Sequence, residues 1–327
     1  MTRQATLEFD PSSLTGGEPS NLYATREFLE LLAECFFPAR SCRVEDYLVD
    51  GEVFRLLSVD GRPLTTAPWV DMHEPLVGWQ QDRSPPQPLR RLPKVSHGIV
   101  PIDDFRTDPS WQGWSGGPTV FWRDFPQWSD YLNLLRSRRV LADDQRRRRR
   151  LDESLGGLQY TANDVADDVL ATCFAWKSAR DRELGRNVLF ARDENQAFFR
   201  ALQRRGLMRA STLRGNGQLL AMWLGWVYQG RWSGWVTAYN PDPAFGKYSL
   251  GRQIIYPMLE ESYRAGHQEF DFSIGMEPYK LFFATHARTI AIRGRPLLKE
   301  RLRKIARHVR RGLQALSLNP FSEILGG

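Results

Sequence analysis

Apolar residues follow two rhythms along this chain. Between positions 22 and 37 they recur every three or four residues, at Leu22, Phe28, Leu29, Leu32, Cys35 and Phe36, which predicts an amphipathic helix. Residues 43–49 and 52–59 predict strands, with turns at Asp50-Gly51 and Asp60-Gly61. Another strand is predicted at 119–122. A helix follows from about Gln127, where Trp128, Tyr131, Leu132 and Leu135 share a face, and it continues or restarts through the arginine run 146–150. That run reads as a solvated helix face rather than a phosphate clamp. Residues 1–20, with Pro11, Gly16, Gly17 and Pro19, read as a loose lead-in, and 81–93 as a proline- and arginine-rich connector.

The second half has a clearer order. Helices are predicted at 162–180, with Val165, Val169, Cys173 and Trp176 on one stripe, and at 195–205, stopped by Gly206. Strands at 207–213, 218–228 and 231–240 follow, turning at 214–217 and at Gln229-Gly230. A helix runs from about Ser249 to Gly266, then a strand at 269–272, a short helix at 278–283 and a last strand at 289–293. Pro257 removes a backbone donor inside its helix and predicts a kink. The division is then 1–20 lead-in, 21–150 first domain, 151–295 second domain and 296–327 tail.

The composition is globular, at 42% hydrophobic and 25% charged. No apolar run reaches the length of a membrane span, and the start lacks the apolar stretch of a signal peptide. Cys35, Cys42 and Cys173 form no metal or CxxC spacing and read as reduced thiols, so a cytoplasmic protein is expected. The net charge of +7 is local: between Arg293 and Arg311 stand nine bases and one acid, Glu300. There Leu298, Leu302, Ile305, Val309, Leu313 and Leu316 form an apolar stripe among basic residues. The stripe packs against the protein, or lies as an interfacial helix on anionic lipid and gives weak, salt-sensitive membrane contact.

Chemistry concentrates between Tyr239 and Phe283. A helix start at Ser249-Leu250-Gly251-Arg252 offers free N–H groups and the positive end of a dipole to a pyrophosphate, with Gly251 permitting close backbone approach. Phe270 and Phe272 alternate with Asp271, which places the carboxylate on the opposite face, as a base or as a loop anchor. Glu277 is a second possible base. Trp223, Trp226, Trp232 and Trp235 read as core, or as a wall for a sugar or an acyl chain. Gly113-Trp114-Ser115-Gly116-Gly117 matches a hydrolase elbow but lacks a strand before and a helix after it. There is no dinucleotide fingerprint, Walker loop or metal motif.

Taken together, Tyr239-Asn240-Pro241, Ser249-Leu250-Gly251, Phe270-Asp271-Phe272, Gly275 and Tyr279-Lys280 resemble the BioF2-like and CelD N-acyltransferases, relatives of the FemABX aminoacyltransferases. The order of elements over 150–293 is similar to a GNAT acyltransferase domain, and the first half fits a degenerate GNAT-like domain. The resemblance implies an α/β protein of two tandem GNAT-like domains, each a mostly antiparallel sheet flanked by helices, the second catalytic. It implies acyl-CoA as donor, held by Tyr239, Ser249, Leu250, Gly251 and Arg252, although Gly246 stands where GNAT enzymes usually carry Gln or Arg. It implies Asp271 or Glu277 as base, Tyr279 as the acid for the leaving thiolate and Lys280 steadying negative charge, with no metal. The acceptor would be a primary amine of an amino sugar, polysaccharide precursor or lipid-linked molecule. The alternatives are an aminoacyl-tRNA-dependent transferase and a non-catalytic scaffold.

Overall fold

The computed structural model describes residues 18–77, 87–89, 92–108, 115–138 and 141–291. The expected basic helix of 296–327 therefore lies outside the described residues. The strands are β1 (Glu18–Pro19), β2 (Cys42–Val49), β3 (Glu52–Val59), β4 (Arg62–Pro63), β5 (Leu76–Val77), β6 (Gln87–Pro88), β7 (Val95–Pro101), β8 (Ser115–Phe121), β9 (Leu158–Thr161), β10 (Arg209–Gly215), β11 (Gln218–Tyr228), β12 (Arg231–Tyr239), β13 (Glu269–Asp271) and β14 (His286–Ala291). The helices are α1 (Arg26–Phe36), α2 (Ile102–Thr107), α3 (Trp128–Ser137), α4 (Leu141–Leu155), α5 (Asp167–Glu183), α6 (Asp193–Arg204), α7 (Leu250–Gln253), α8 (Ile255–Arg264) and α9 (Pro278–Phe283).

One eight-stranded sheet, ordered β7-β14-β8-β13-β12-β11-β10-β9, dominates the protein. All its pairings are antiparallel except β12 with β13. A four-stranded sheet, β4-β3-β2-β6, and the short pair β1-β5 complete the strands. Two tandem sheets were expected, and the large sheet departs from that picture. β7 and β8 come from the first half, yet β8 is inserted between β13 and β14, and position 150 falls inside α4. The physical reason is apolar: Val120 of β8 belongs to the same buried cluster as Phe270 and Phe272. Tyr131 seals the join by donating its hydroxyl to the Phe283 carbonyl at 2.9 Å.

Period-two alternation splits the core between the two faces. Met222, Leu224 and Trp226 of β11 pack with α1, α5 and α6. Trp223 and Val227 pack on the other side with α3, α4 and α8. α5 begins at Asp167 rather than 162, because Asp164 is spent on its neighbours: it accepts from Ala166 N at 3.1 Å and from Thr212 Oγ1 at 2.9 Å. Val165, expected on the helix stripe, is accordingly 66% exposed. The helix expected from Ser249 is interrupted at Ile254, as Pro257 predicts. The Gln253 carbonyl, which Pro257 cannot serve, accepts instead from Arg148 Nη1 at 3.1 Å.

Candidate active site

The expected site residues lie around the start of α7 and around the short pairing of β12 with β13. Their parallel pairing is short, Arg231↔Glu269, Trp232↔Phe270 and Ser233↔Asp271. From Gly234 to Tyr239, β12 pairs with β11 alone, so its other edge carries backbone groups with no strand against them.

At the start of α7, Ser249 takes a left-handed conformation (φ 56°) after a 3-10 segment (Pro243–Tyr248). Its hydroxyl accepts from Arg147 Nη1 at 2.7 Å. Beside it opens a pocket of about 240 Å³, lined by Asp143, Arg146, Arg147, Arg150, Lys247 and Tyr248. Asp143, Arg146, Arg147 and Arg150 share a face of α4, being spaced by three and four residues. Adjacent Asp144 anchors that helix. It is fully buried and accepts from the Arg252 guanidinium and, at 2.8 Å, from the Tyr256 hydroxyl. Arg146, Arg149 and Arg150 are exposed, as expected of a solvated face, and Arg146, Arg147 and Arg150 also line the pocket. The spacing was readable; what the face looks onto was not.

The five residues expected to hold the donor are used differently from one another. Leu250 is core, 3% exposed. The Arg252 side chain is committed to Asp144 and ties α7 to α4. Tyr239 is 41% exposed, and its ring lies so close to Gly251 that a Cβ there would stand 3.3 Å from it. Ser249 connects to the pocket through Arg147.

The four expected catalytic residues lie on different sides of the sheet. Phe270 and Phe272 share a face, with ring centroids 4.8 Å apart. Tyr279 is on that side, near Trp223. Burial, then Glu277 and Tyr239, raise its hydroxyl pKa, so it stays protonated at neutral pH. Lys280 is buried and donates to the Ile274 carbonyl at 3.1 Å, while Nζ lies 3.0 Å from the half-exposed Glu277 carboxylate. Asp271 faces the other way. Its Oδ1 accepts from Ser273 N at 2.7 Å, and Oδ2 lies 3.9 Å from Arg288 Nε. Burial pushes Asp271 up to about 6, with Arg288 and Arg231 offsetting part of the shift.

Behind Asp271 lies an ion network. Arg231 Nη1 is 3.0 Å from Glu74 Oε1, and Arg288 Nη1 is 3.1 Å from the same oxygen. Arg288 Nη2 reaches Glu269 Oε2 at 2.8 Å, and Arg231 Nε also pairs with Glu269. Burial alone would raise Glu74, but the two guanidinium groups outweigh it and hold the carboxyl near about 2. Among the described residues, no group of three or more His, Cys, Asp or Glu is arranged to hold a metal ion.

Residues 138–281 match the acetyltransferase (GNAT) domain family. Over this segment the chain is similar to a GNAT acetyltransferase domain. The match falls on the stretch where the sequence resembles the BioF2-like and CelD enzymes, and it includes all of α4. No curated protein matches the chain. Among solved structures, FemX is similar with a TM-score of 0.50 at 10% identity, over 84% of this chain and 93% of that one. That likeness is one of fold, and it extends beyond the matched segment. L-PGS from Bacillus licheniformis is also similar, with a TM-score of 0.42 at 12% identity, over 91% of this chain and 99% of that one. Among the described residues, no helix is long and apolar enough to cross a membrane.

Proposed function

We propose that this protein transfers an acyl group, acetyl in the simplest case, from acyl-CoA to a primary amine. The observation that carries the reading is the pocket beside Ser249, where four cations face one carboxylate. Phosphates are the natural partners of such a surplus, because guanidinium groups bind them through charge-assisted hydrogen bonds. Arg146, Arg147, Arg150 and Lys247 would hold the carrier's phosphates. They supply the charge that Gly246 cannot at the usual Gln or Arg position. The unpaired edge of β12 would hold the thioester oxygen through backbone N–H groups.

The amine nitrogen then forms its bond to the carbonyl carbon while the C–S bond breaks, and the electron pair goes to sulfur. Tyr279, whose hydroxyl burial keeps protonated, would give the thiolate a proton. Lys280 stands near the loop that follows β13 and favours negative charge there. Asp271 acts as a positioning group that holds Ser273. The amine is read as that of an amino sugar, a polysaccharide precursor or a lipid-linked molecule, in keeping with the family resemblance.

Calorimetry with acetyl-CoA, together with free-thiol release on adding primary amines, tests the reading. Saturable binding and amine-dependent thiol release are expected. In Tyr279→Phe, turnover should fall about 100-fold with donor affinity unchanged, in the range of general acid catalysis. Absence of acetyl-CoA binding at low salt rejects the donor assignment. Activity that disappears on ribonuclease treatment points to an aminoacyl-tRNA donor instead.

A further inference from the structure

Eight residues other than glycine have a positive φ among the described residues. Asp50, Asp60, Asn216 and Gln229 each precede a glycine in a strand-to-strand turn, where that conformation is ordinary. The other four are Trp69, Lys94, Ser249 and Ser273. Ser249 belongs to the donor pocket. The remaining three lie around one carboxylate, Asp71. Trp69 is two residues before it. Lys94 Nζ donates to the Val70 carbonyl at 3.2 Å. Ser273 Oγ donates to Asp71 Oδ2. Left-handed backbone in non-glycine residues costs free energy and persists where its surroundings hold it, commonly at ligand sites.

A second observation is independent of the first. Trp235 Nε1 and Ser233 Oγ are buried atoms with no hydrogen-bond partner among the described residues. Tyr23 links Trp235, and Trp226 beside it, to Asp71. Its ring lies 5.4 Å from Trp226 and 5.8 Å from Trp235, and its hydroxyl donates to Asp71 Oδ2 at 3.4 Å. Ser233 stands opposite Asp271, the last pair before β12 and β13 separate. Buried donors without partners are costly, so a pair of them beside a held carboxylate marks a place for a polar ligand. Tyr23 and Ser273 both donate to Oδ2, and among the described residues no hydrogen-bond donor is given to Oδ1.

We infer that Asp71 is the acceptor-side catalytic residue: it binds the amine through Oδ1 and takes the proton the nitrogen sheds as the C–N bond forms. Tyr23 and Ser273 are positioning residues, and Asp271 acts through Ser273. The Trp235 indole N–H suits an oxygen neighbouring the amine. This inference rests on the acyltransfer reading above. The groups facing Asp71 are Tyr23, Ser273, Lys94, Lys280 and, beyond Ser273, Asp271. Burial raises its carboxyl, and the two lysines, Ser273 and Tyr23 offset that in part. An amine bound by the carboxylate is therefore released as the pH falls through this raised value.

The test uses the full chain, glucosamine as the probe and glucose as its amine-free counterpart, followed by tryptophan fluorescence. Wild type should bind glucosamine saturably at pH 8, at least about 10-fold more tightly than glucose, the scale of one charge-assisted contact. Binding should weaken as the pH is lowered. Asp71→Asn should lose the preference while keeping wild-type affinity for acetyl-CoA. Equal preference in a folded Asp71→Asn protein overturns the assignment. So does a wild type that does not distinguish the two sugars, an outcome that needs no variant to fold. A wild type that prefers glucosamine but ignores acetyl-CoA overturns the donor reading and leaves Asp71 standing as an amine site.

Discussion

Arg231 and Arg288 lie 8% and 6% exposed among Glu74, Glu269 and Asp271. Arg146, Arg147 and Arg150 share an open pocket with Lys247, and Asp143 is the acid beside them. The first group is matched by carboxylates from β13 and from residue 74, so its charge is consumed in joining the sheet to the first half. The second carries an excess of positive charge into a concave surface. Matching distinguishes a structural arginine from one held ready for a ligand, and abundance of arginine does not.

Breaking the matched group should have the largest effect. Arg288→Met leaves three buried carboxylates with one guanidinium, and removing one partner of a buried pair costs about 3–5 kcal/mol. Urea denaturation measures it, and a loss below about 1 kcal/mol would mean that Arg231 alone satisfies the network. Next comes the group with cations in surplus, where Asp143 pairs with both Arg146 and Arg147. Arg147→Ala combined with Arg150→Ala should weaken acetyl-CoA binding about 100-fold, at roughly 1.5–3 kcal/mol per charged hydrogen bond, with stability changed by less than about 1 kcal/mol. A double variant that binds normally would move the phosphates elsewhere.

The matched network also titrates, in two opposed windows. Glu74 is held down from 4.5 to about 2, so between those values the unfolded chain binds more protons and stability rises with pH. Asp271 is pushed up from 3.8 to about 6, so between those values the folded protein binds more protons and stability falls as pH rises. Denaturation midpoints should peak between pH 4 and pH 5, with a later fall on the order of 2 kcal/mol. Asp271→Asn should flatten that fall, and an unchanged profile would place the titration elsewhere. The smallest effect concerns Arg148, which belongs to the same run but is matched by the Gln253 carbonyl. Pro257→Ala restores a donor to that carbonyl and should shift stability by less than about 0.5 kcal/mol, because the carbonyl is already satisfied.

The sequence was most legible where period and turn chemistry act locally. Asp50-Gly51 and Asp60-Gly61 bound strands that form as expected, and α9 spans the residues predicted for it. Asp271 faces away from Phe270 and Phe272 because a strand alternates. Long-range relations were not legible. Nothing in the spacing of Ser115–Phe121 says that it will pair with residues beyond 268, which is why two domains were expected. Arg252 looked free because Asp144 is 108 positions away. Asp71 carries no motif at all. Its significance comes from Tyr23 and Ser273, which only the folded chain brings to it.

The insertion of β8 between β13 and β14 bears on how the protein is made. Val120 pairs with Phe270, 150 positions later. At about 5–20 residues per second, a ribosome needs roughly 8–30 s to produce that partner. During this interval the Ser115–Phe121 segment has neither of its neighbours, and its edges are open to other nascent strands. Loop closure over such a distance also slows the final assembly relative to locally paired sheets. Expression yield should therefore respond to chaperone supply and growth temperature more than the stability of the finished sheet alone implies.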